Sequence, residues 1–400
     1  MTGKTKGDTM TGKTIRVLVV GGGYAGVLAA NHLRLNEEID ITMINPRPSF
    51  VERIRLHQFV TGSHDAVVDY AKVLGQGITL VVDSVTTIDA PARRVKLASG
   101  GTLDYEYLIY AVGSTGAAAT VPGAAEFAYP IAEYEHAAPL RAAVTAAAAD
   151  APICVIGAGP TGLEAAAELA EQGRRVTLVC GSVLGPSLST RGRRAAAKRL
   201  TTLGVDVIDG PDANVIEVCA DAVVLADGRQ VTSVVTIWTA GFGVPDLAAR
   251  SGLSTDAIGR LRTDETLTSV HDTRIVAAGD ASTPSNLPLR MSCQAAIPLG
   301  AQAANTVLSR IAGTTPKPIN QAFVGQCISL GRSAGLIQIA HLDDRVMPIY
   351  VGGRVGAGIK EAVCKSTISS LSREARKPGS CFWLKGGRRQ RTPATQPVSS

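Results

Sequence analysis

Aromatic residues are scarce in this chain: 2 Trp, 6 Phe and 8 Tyr, about 4% of 400 residues. That poverty argues against a β-sandwich or barrel core. Charged residues make only 18% and apolar ones 45%, which excludes a disordered chain. The seven cysteines, Cys154, Cys180, Cys219, Cys293, Cys327, Cys364 and Cys381, are odd in number, and no two are spaced as CxxC or CxxxxC. Neither a zinc site nor an adjacent redox disulfide is expected, and no metal. No uninterrupted apolar run reaches the ~18 to 20 residues that span a bilayer, and no hydrophobic signal region precedes Ile15, so the expected compartment is the reducing cytoplasm. Charge of one sign is also missing from the body. The formal net charge is +6, yet Arg373, Arg376, Lys377, Lys385, Arg388, Arg389 and Arg391 crowd the C-terminal end. A dedicated nucleic-acid binder, whose cations stripe a folded face, is thereby excluded.

Glycine is abundant, at 42 residues. After a polar leader, IRVLVV predicts a buried parallel strand, followed at once by GGGYAG and an Ala/Leu helix, then by a second strand, IDITMIN, ending at Asn45. Gly21, Gly23 and Gly26 of VVGGGYAG satisfy GxGxxG between strand and helix, with Gly22, Tyr24 and Ala25 between them. The first glycine permits the tight turn, the second lets backbone approach a pyrophosphate and the third lets the helix pack closely. The helix N-terminus adds amide donors and a favourable dipole. From Ala151 the pattern restarts. Strand PICVIG leads into GAGPTG, in which Gly157, Gly159, Pro160, Thr161 and Gly162 repeat the fingerprint; an Ala-rich helix to about Gln172 and strand RVTLVC follow. Two dinucleotide sites are implied. YLIYAVGS and VVTIWTAGFG repeat a strand-to-glycine ending at Gly113 and Gly241, and TRIVAAGDAS is a buried strand closed by Gly279 and Asp280.

In this order, VVGGGYAG, LIYAVGST, VIGAGPTGLE, TIWTAGFG and IVAAGDAS resemble the FAD/NAD(P)-dependent oxidoreductases with two dinucleotide-binding domains. That family includes type II NADH dehydrogenases and apoptosis-inducing-factor-like quinone reductases. The likeness spans roughly residues 14 to 312. It implies an α/β fold: two Rossmann-like dinucleotide-binding domains with β-rich inserts and a smaller C-terminal α+β region. The expected division is 1–13 leader, 14–120 FAD-binding domain, 121–150 connector, 151–265 NAD(P)H-binding domain, 266–312 return to the FAD domain, 313–385 C-terminal interface region and 386–400 basic tail.

The resemblance further implies FAD on the first fingerprint, with Asp280 on its ribityl chain, and exchanging NADH or NADPH on the second. Glu164, on the second nucleotide helix, is expected near flavin and nicotinamide. Lys365 in VCKS matches a flavin-reaching lysine, with Lys360 as its competitor. Arg53, Arg55 and His57 are candidates for lining the FAD site or the acceptor entrance.

Two departures stand out. Where such chains carry an acid that holds a ribose diol, this one has Asn45 and Cys180. Asn45 still accepts a hydrogen bond. Cys180 leaves nothing to repel a 2′-phosphate, and Arg191, Arg193 and Arg194 follow, so either coenzyme is admitted.

The expected activity is hydride transfer from NAD(P)H to FAD and onward to a small-molecule acceptor, with a quinone as the resemblance-led choice. A non-catalytic NAD(P)H-sensing flavoprotein and a flavin monooxygenase are the alternatives. Phe382, Trp383 and Leu384 between cations suggest peripheral contact with the inner face of the cell membrane. The sequence leaves the oligomeric state open.

Overall fold

The computed structural model describes residues 14–117 and 120–386. The first fingerprint strand, Ile15–Val20, is the centre of a five-stranded parallel sheet. It is ordered Ile275–Ala277, Tyr107–Tyr110, Ile15–Val20, Ile39–Asn45, Ile78–Val82. Its inner strands are predominantly apolar, most completely toward their carboxyl ends, because helices or inserts cover both faces. The helix Tyr24–Leu33 is buried along its whole length. It crosses Cys293–Ile311 closely because Gly300 has no side chain to strike the Ala25 carbonyl. The chain leaves the fingerprint strand to one side and returns on the other, so a crevice opens at the strands' carboxyl ends.

The second sheet repeats the plan: Ala128–Pro130, Val235–Trp238, Pro152–Ile156, Arg175–Val179, Asp206–Ile208, parallel throughout. The second fingerprint helix, Pro160–Glu171, ends with Gln172 as cap and Gly173 at φ +82°, the left-handed turn that glycine adopts without cost. Each domain carries an antiparallel three-stranded insert, one built on Val85–Asp89 and the other on Ala222–Leu225.

Domain limits differ from the sequence expectation in two places. The stretch 121–150 is no mere connector, since Ala128–Pro130 forms the edge strand of the second sheet. At the other limit, Leu247, Ala248, Leu253 and Leu261 pack with Leu18, Leu108 and Ile275 in the first domain's core, well before residue 266. The chain crosses and recrosses at a short antiparallel ladder, Thr115–Gly116 with Phe242–Gly243. Short polar strands of this kind give no periodic signal.

The C-terminal region is a three-stranded antiparallel sheet, Gly325–Ser329, Gly335–Ala340 and Val346–Gly352, followed by the 24-residue helix Gly353–Arg376. That helix packs on its own sheet and on Tyr24–Leu33, so it reaches the junction of the two nucleotide domains. Buried Glu374 near its end accepts from His32 (2.6 Å) and from the Gly379 and Cys381 amides (2.6 and 2.7 Å), turning the chain back over the first domain. There Trp383 docks, donating its indole N–H to the Asn320 carbonyl (2.9 Å), while Phe382 and Leu384 face outward. Of the residues noted in the basic tail, Arg388, Arg389 and Arg391 lie outside the described residues.

Candidate active site at the domain junction

Gly21 has φ +106° and Gly157 φ +105°, backbone that L side chains rarely adopt, and each turns the chain sharply into its helix. Gly26 and Gly162 sit against the Gly21 and Gly157 carbonyls, where any side chain would collide. Gly23 and Gly159 are different: a Cβ built on either meets no atom of the protein within 4 Å. Packing within the protein therefore does not demand a glycine at either position. Both cap their helices without a side-chain hydrogen bond, and both helices lack an acidic residue in the first turn. The amides of Tyr24, Ala25 and Gly26, and of Thr161 and Gly162, therefore have first-turn geometry suited to a phosphate. Pro160 contributes no N–H but its fixed φ starts the helix. The donor set and the open approach fit a dinucleotide pyrophosphate at each fingerprint.

Around the first cradle, Asn45 does not stand free toward a ribose. Its Oδ1 accepts from the Gly22 amide (3.0 Å) and its Nδ2 donates to the Arg47 carbonyl (2.8 Å). Tyr70, which sequence reasoning missed, donates its hydroxyl to the Gly22 carbonyl (2.8 Å). Together they hold the glycine loop from outside. The Tyr24 ring turns into the core, edge-on to Phe50 at 5.1 Å, so its contribution to the cradle is backbone only. Ala25 is a packing contact beneath Gly279 and Gly300.

The structure brings Gly113, Arg53, Gly279 and Asp280 together through Ser114, also unforeseen. The Ser114 hydroxyl donates to Asp280 (2.7 Å), and Arg53 donates to the Ser114 carbonyl (2.7 Å) and to Ala132 (2.9 Å). Asp280 also accepts from the Ser292 amide at the start of helix Cys293–Ile311 (3.2 Å).

Around the second cradle, Thr239 holds the Ile156 and Gly157 carbonyls (2.8 and 3.0 Å), and Gly241 turns at φ +80°. Cys180 ends its strand with burial pushing its thiol up to about 12, so it stays neutral. Its amide donates to Ile208 (2.8 Å), which puts exposed Asp209 at the same rim. Arg191 and Arg194 are exposed near the start of helix Thr190–Thr202. Cys180→Glu is expected to shift coenzyme preference toward NADH by about 1 to 3 kcal/mol, the scale of a charge-assisted hydrogen bond. The ratio of kcat/KM for NADH and NADPH measures it, and an unchanged ratio would separate Cys180 from the ribose.

Between the cradles lies a buried polar cluster drawn from all three regions. Glu164, in the second turn of its helix, accepts from Lys360 Nζ (2.8 Å) and from the Ser329 amide (3.0 Å). Its other oxygen is 3.6 Å from His57 Nδ1. Lys360 also donates to the Cys327 carbonyl (3.2 Å). Burial opposes ionisation of both partners, but each holds the other charged: Glu164 is kept below the usual carboxylate range and Lys360 above the usual amine range. The same lysine faces Cys293, Cys327 and Cys364, whose thiols burial pushes up.

This corrects the expected lysine. Lys365 is 74% exposed and meets only Glu361, at 3.6 Å, among the described contacts; Lys360 is the one inside. Arg55 is likewise spent, pairing through both terminal nitrogens with Glu361 (3.0 and 3.1 Å) and clamping the C-terminal helix to the first domain. Lys360→Met is expected to destabilise the fold by about 3 to 5 kcal/mol, because it strands a buried carboxylate. Lys365→Met should stay within about 0.5 kcal/mol. Denaturant unfolding of the two proteins separates them, and equal losses would contradict the burial of Lys360.

The comparisons agree with this geometry. An NADH dehydrogenase-like protein of Mycobacterium tuberculosis is 29% identical over 327 residues, covering 74% of this chain and 80% of its own. A type II NADH:quinone oxidoreductase of the same organism is 26% identical over 377 residues, covering 82% and 80%. Among solved structures, the sulfide:quinone oxidoreductase of Aquifex aeolicus superposes with TM-score 0.77 at 20% identity, covering 90% and 92%. NDH2 of Plasmodium falciparum in complex with NADH superposes at 0.74 and 14%, covering 92% and 99%. The model of one family matches residues 15–302, from the first fingerprint strand into the helix behind Asp280. With both cradles, the closing Asp280 segment and that match in hand, the chain belongs to the pyridine nucleotide-disulphide oxidoreductase family, as an NADH dehydrogenase-type enzyme using FAD and NADH.

Proposed function

We propose that this enzyme passes the electrons of NADH to a quinone. The observation that carries the reading is Lys360, a largely enclosed cation held by Glu164 and the Cys327 carbonyl where the three regions meet. Reducing a quinone places negative charge and then protons on two oxygens. A desolvated ammonium stabilises the first and supplies the second. The relatives described as NADH:quinone oxidoreductases support the same acceptor.

The first-turn amides at Gly23 would hold the FAD pyrophosphate, with Asp280, Ser114 and Arg53 along its far portion; those at Gly159 would hold NADH. Bound FAD supplies the two-electron chemistry that joins a hydride donor to the acceptor. The protein's part is to orient both groups, exclude water and keep Lys360 protonated. All seven thiols are free. Among the described residues no helix is long and apolar enough to cross a membrane. Outward-facing Phe382 and Leu384 suit peripheral contact with the bilayer in which a lipid quinone resides.

Anaerobic NADH should bleach the flavin absorbance of the purified protein, and a short-chain ubiquinone should restore it within the turnover time. Reduction by NADH with no reoxidation by any quinone would reject the acceptor.

A further inference from the structure

His57 sits between two carboxylates. Its Nδ1 is 3.6 Å from Glu164 Oε2, and its Nε2 is 3.5 Å from Glu168 Oε2. The ring, the helix carrying it and Glu168 are all buried. Glu164 and Glu168 are four residues apart on one helix, so they present their carboxyls on one face, one turn apart. Beyond Glu168 the path reaches the surface: its Oε1 accepts from the hydroxyl of exposed Ser63 and from Thr61 (3.4 Å). A file of exchangeable groups therefore runs Ser63, Glu168, His57, Glu164, Lys360 from solvent to the domain junction, with separations of 3.5 and 3.6 Å on the two sides of the ring.

We propose that His57 and Glu168 form a proton relay that reloads the Glu164–Lys360 pair from solvent. The relay rests on the quinone reading above. The overall reaction breaks one C–H bond of the dihydronicotinamide, moves its electron pair to the quinone and forms two O–H bonds. One of the two protons comes with the hydride, and the other must come from water.

The geometry is that of a loaded relay. A neutral imidazole carries one N–H, so it cannot donate to both carboxylates. With the proton on Nδ1 the ring donates toward Glu164, and Nε2 becomes an acceptor facing Glu168. His57 Nε2 and Glu168 Oε2 are both buried with no hydrogen-bond partner, and they face each other. A proton on Glu168 satisfies both atoms at once. Electrostatics agree. Burial pushes His57 down to about 4, with Lys360, Arg332 and Arg55 acting in the same direction and Glu164 opposing. Burial and Glu164 push the Glu168 carboxyl up, against Ser63, Arg332 and Thr61. This surrounding thus favours the neutral ring and shifts Glu168 toward its protonated form. Transfer from Glu168 to Nε2, with release of the Nδ1 proton to Glu164, advances one proton by one residue at each end.

The test uses the FAD-loaded enzyme carrying Glu168→Gln, His57→Gln or Glu168→Asp, with ubiquinone-1 and ferricyanide as acceptors. Ferricyanide takes electrons without protons. The relay predicts that each variant loses far less ferricyanide reduction than quinone reduction. Ubiquinone-1 reduction should fall by roughly a hundredfold in the two Gln variants, the lower end of what proton transfer contributes. It should also show a solvent deuterium effect larger than wild type, and Glu168→Asp should recover most of the rate. Equal loss with both acceptors would make these residues structural and overturn the relay, as would undiminished ubiquinone-1 reduction. A wild type that reduces ferricyanide but no quinone would overturn the acceptor assignment and the relay with it.

Discussion

A Gly23→Val protein is expected to fold and to purify colourless. The wild type should carry about one FAD per chain, and the variant under about a tenth of that, because a branched side chain would take the space a pyrophosphate needs. The reason to expect a folded protein is specific: a Cβ at Gly23 meets nothing within 4 Å. Gly26→Ala is the contrast, since its side chain would strike the Gly21 carbonyl and force the fingerprint helix off its strand. Absorbance at the flavin band and circular dichroism of the two variants distinguish a lost ligand from a lost fold. Normal flavin content in folded Gly23→Val would refute the assignment of the first cradle. Losing a bound cofactor also removes its mass-action stabilisation, so the colourless variant should melt lower than the wild type.

Gly159→Val is expected to stay yellow and to lose reduction by NADH. Gly159 shares the open approach of Gly23, and the two cradles belong to separate sheets. Stopped-flow reduction should be slowed by at least about a hundredfold, as positioning of a hydride donor commonly contributes that much or more. Flavin content should match wild type. Unchanged reduction would show that the second fingerprint is not the nicotinamide site, and loss of flavin would show that the domains do not fail independently.

Much of the architecture was legible because local pattern and tertiary demand coincide in a parallel sheet. IRVLVV beyond its exposed Arg16, and PICVIG, are apolar since both faces of each strand are covered, and a glycine must follow each one for the chain to turn into its helix. Asp280 and Gly113 could be read from the same strand-to-glycine endings. The domain limits were less legible. Ala128–Pro130 is a three-residue edge strand, and Leu247 to Leu261 carries no mark of which core it joins. Membership there is decided by which apolar surface is nearest once both sheets exist.

By itself the sequence determined the two cradles, since GxGxxG between a buried strand and a helix has few other physical uses. The polar cluster between them was decided by tertiary structure alone. Lys360 and Lys365 are five residues apart on one helix, a rotation of about 140° at ~3.6 residues per turn, so one points inward and the other to solvent. Which one does so depends on how Gly353–Arg376 rolls onto its sheet and onto Tyr24–Leu33. His57, Glu164 and Lys360 are likewise far apart along the chain, and nothing local to any of them specifies the others. Glu168 alone left a trace, four residues after Glu164 on the same helical face, yet that spacing also describes a solvated pair of acids. Only the closing of three regions around them removes the water and makes their protonation states depend on one another.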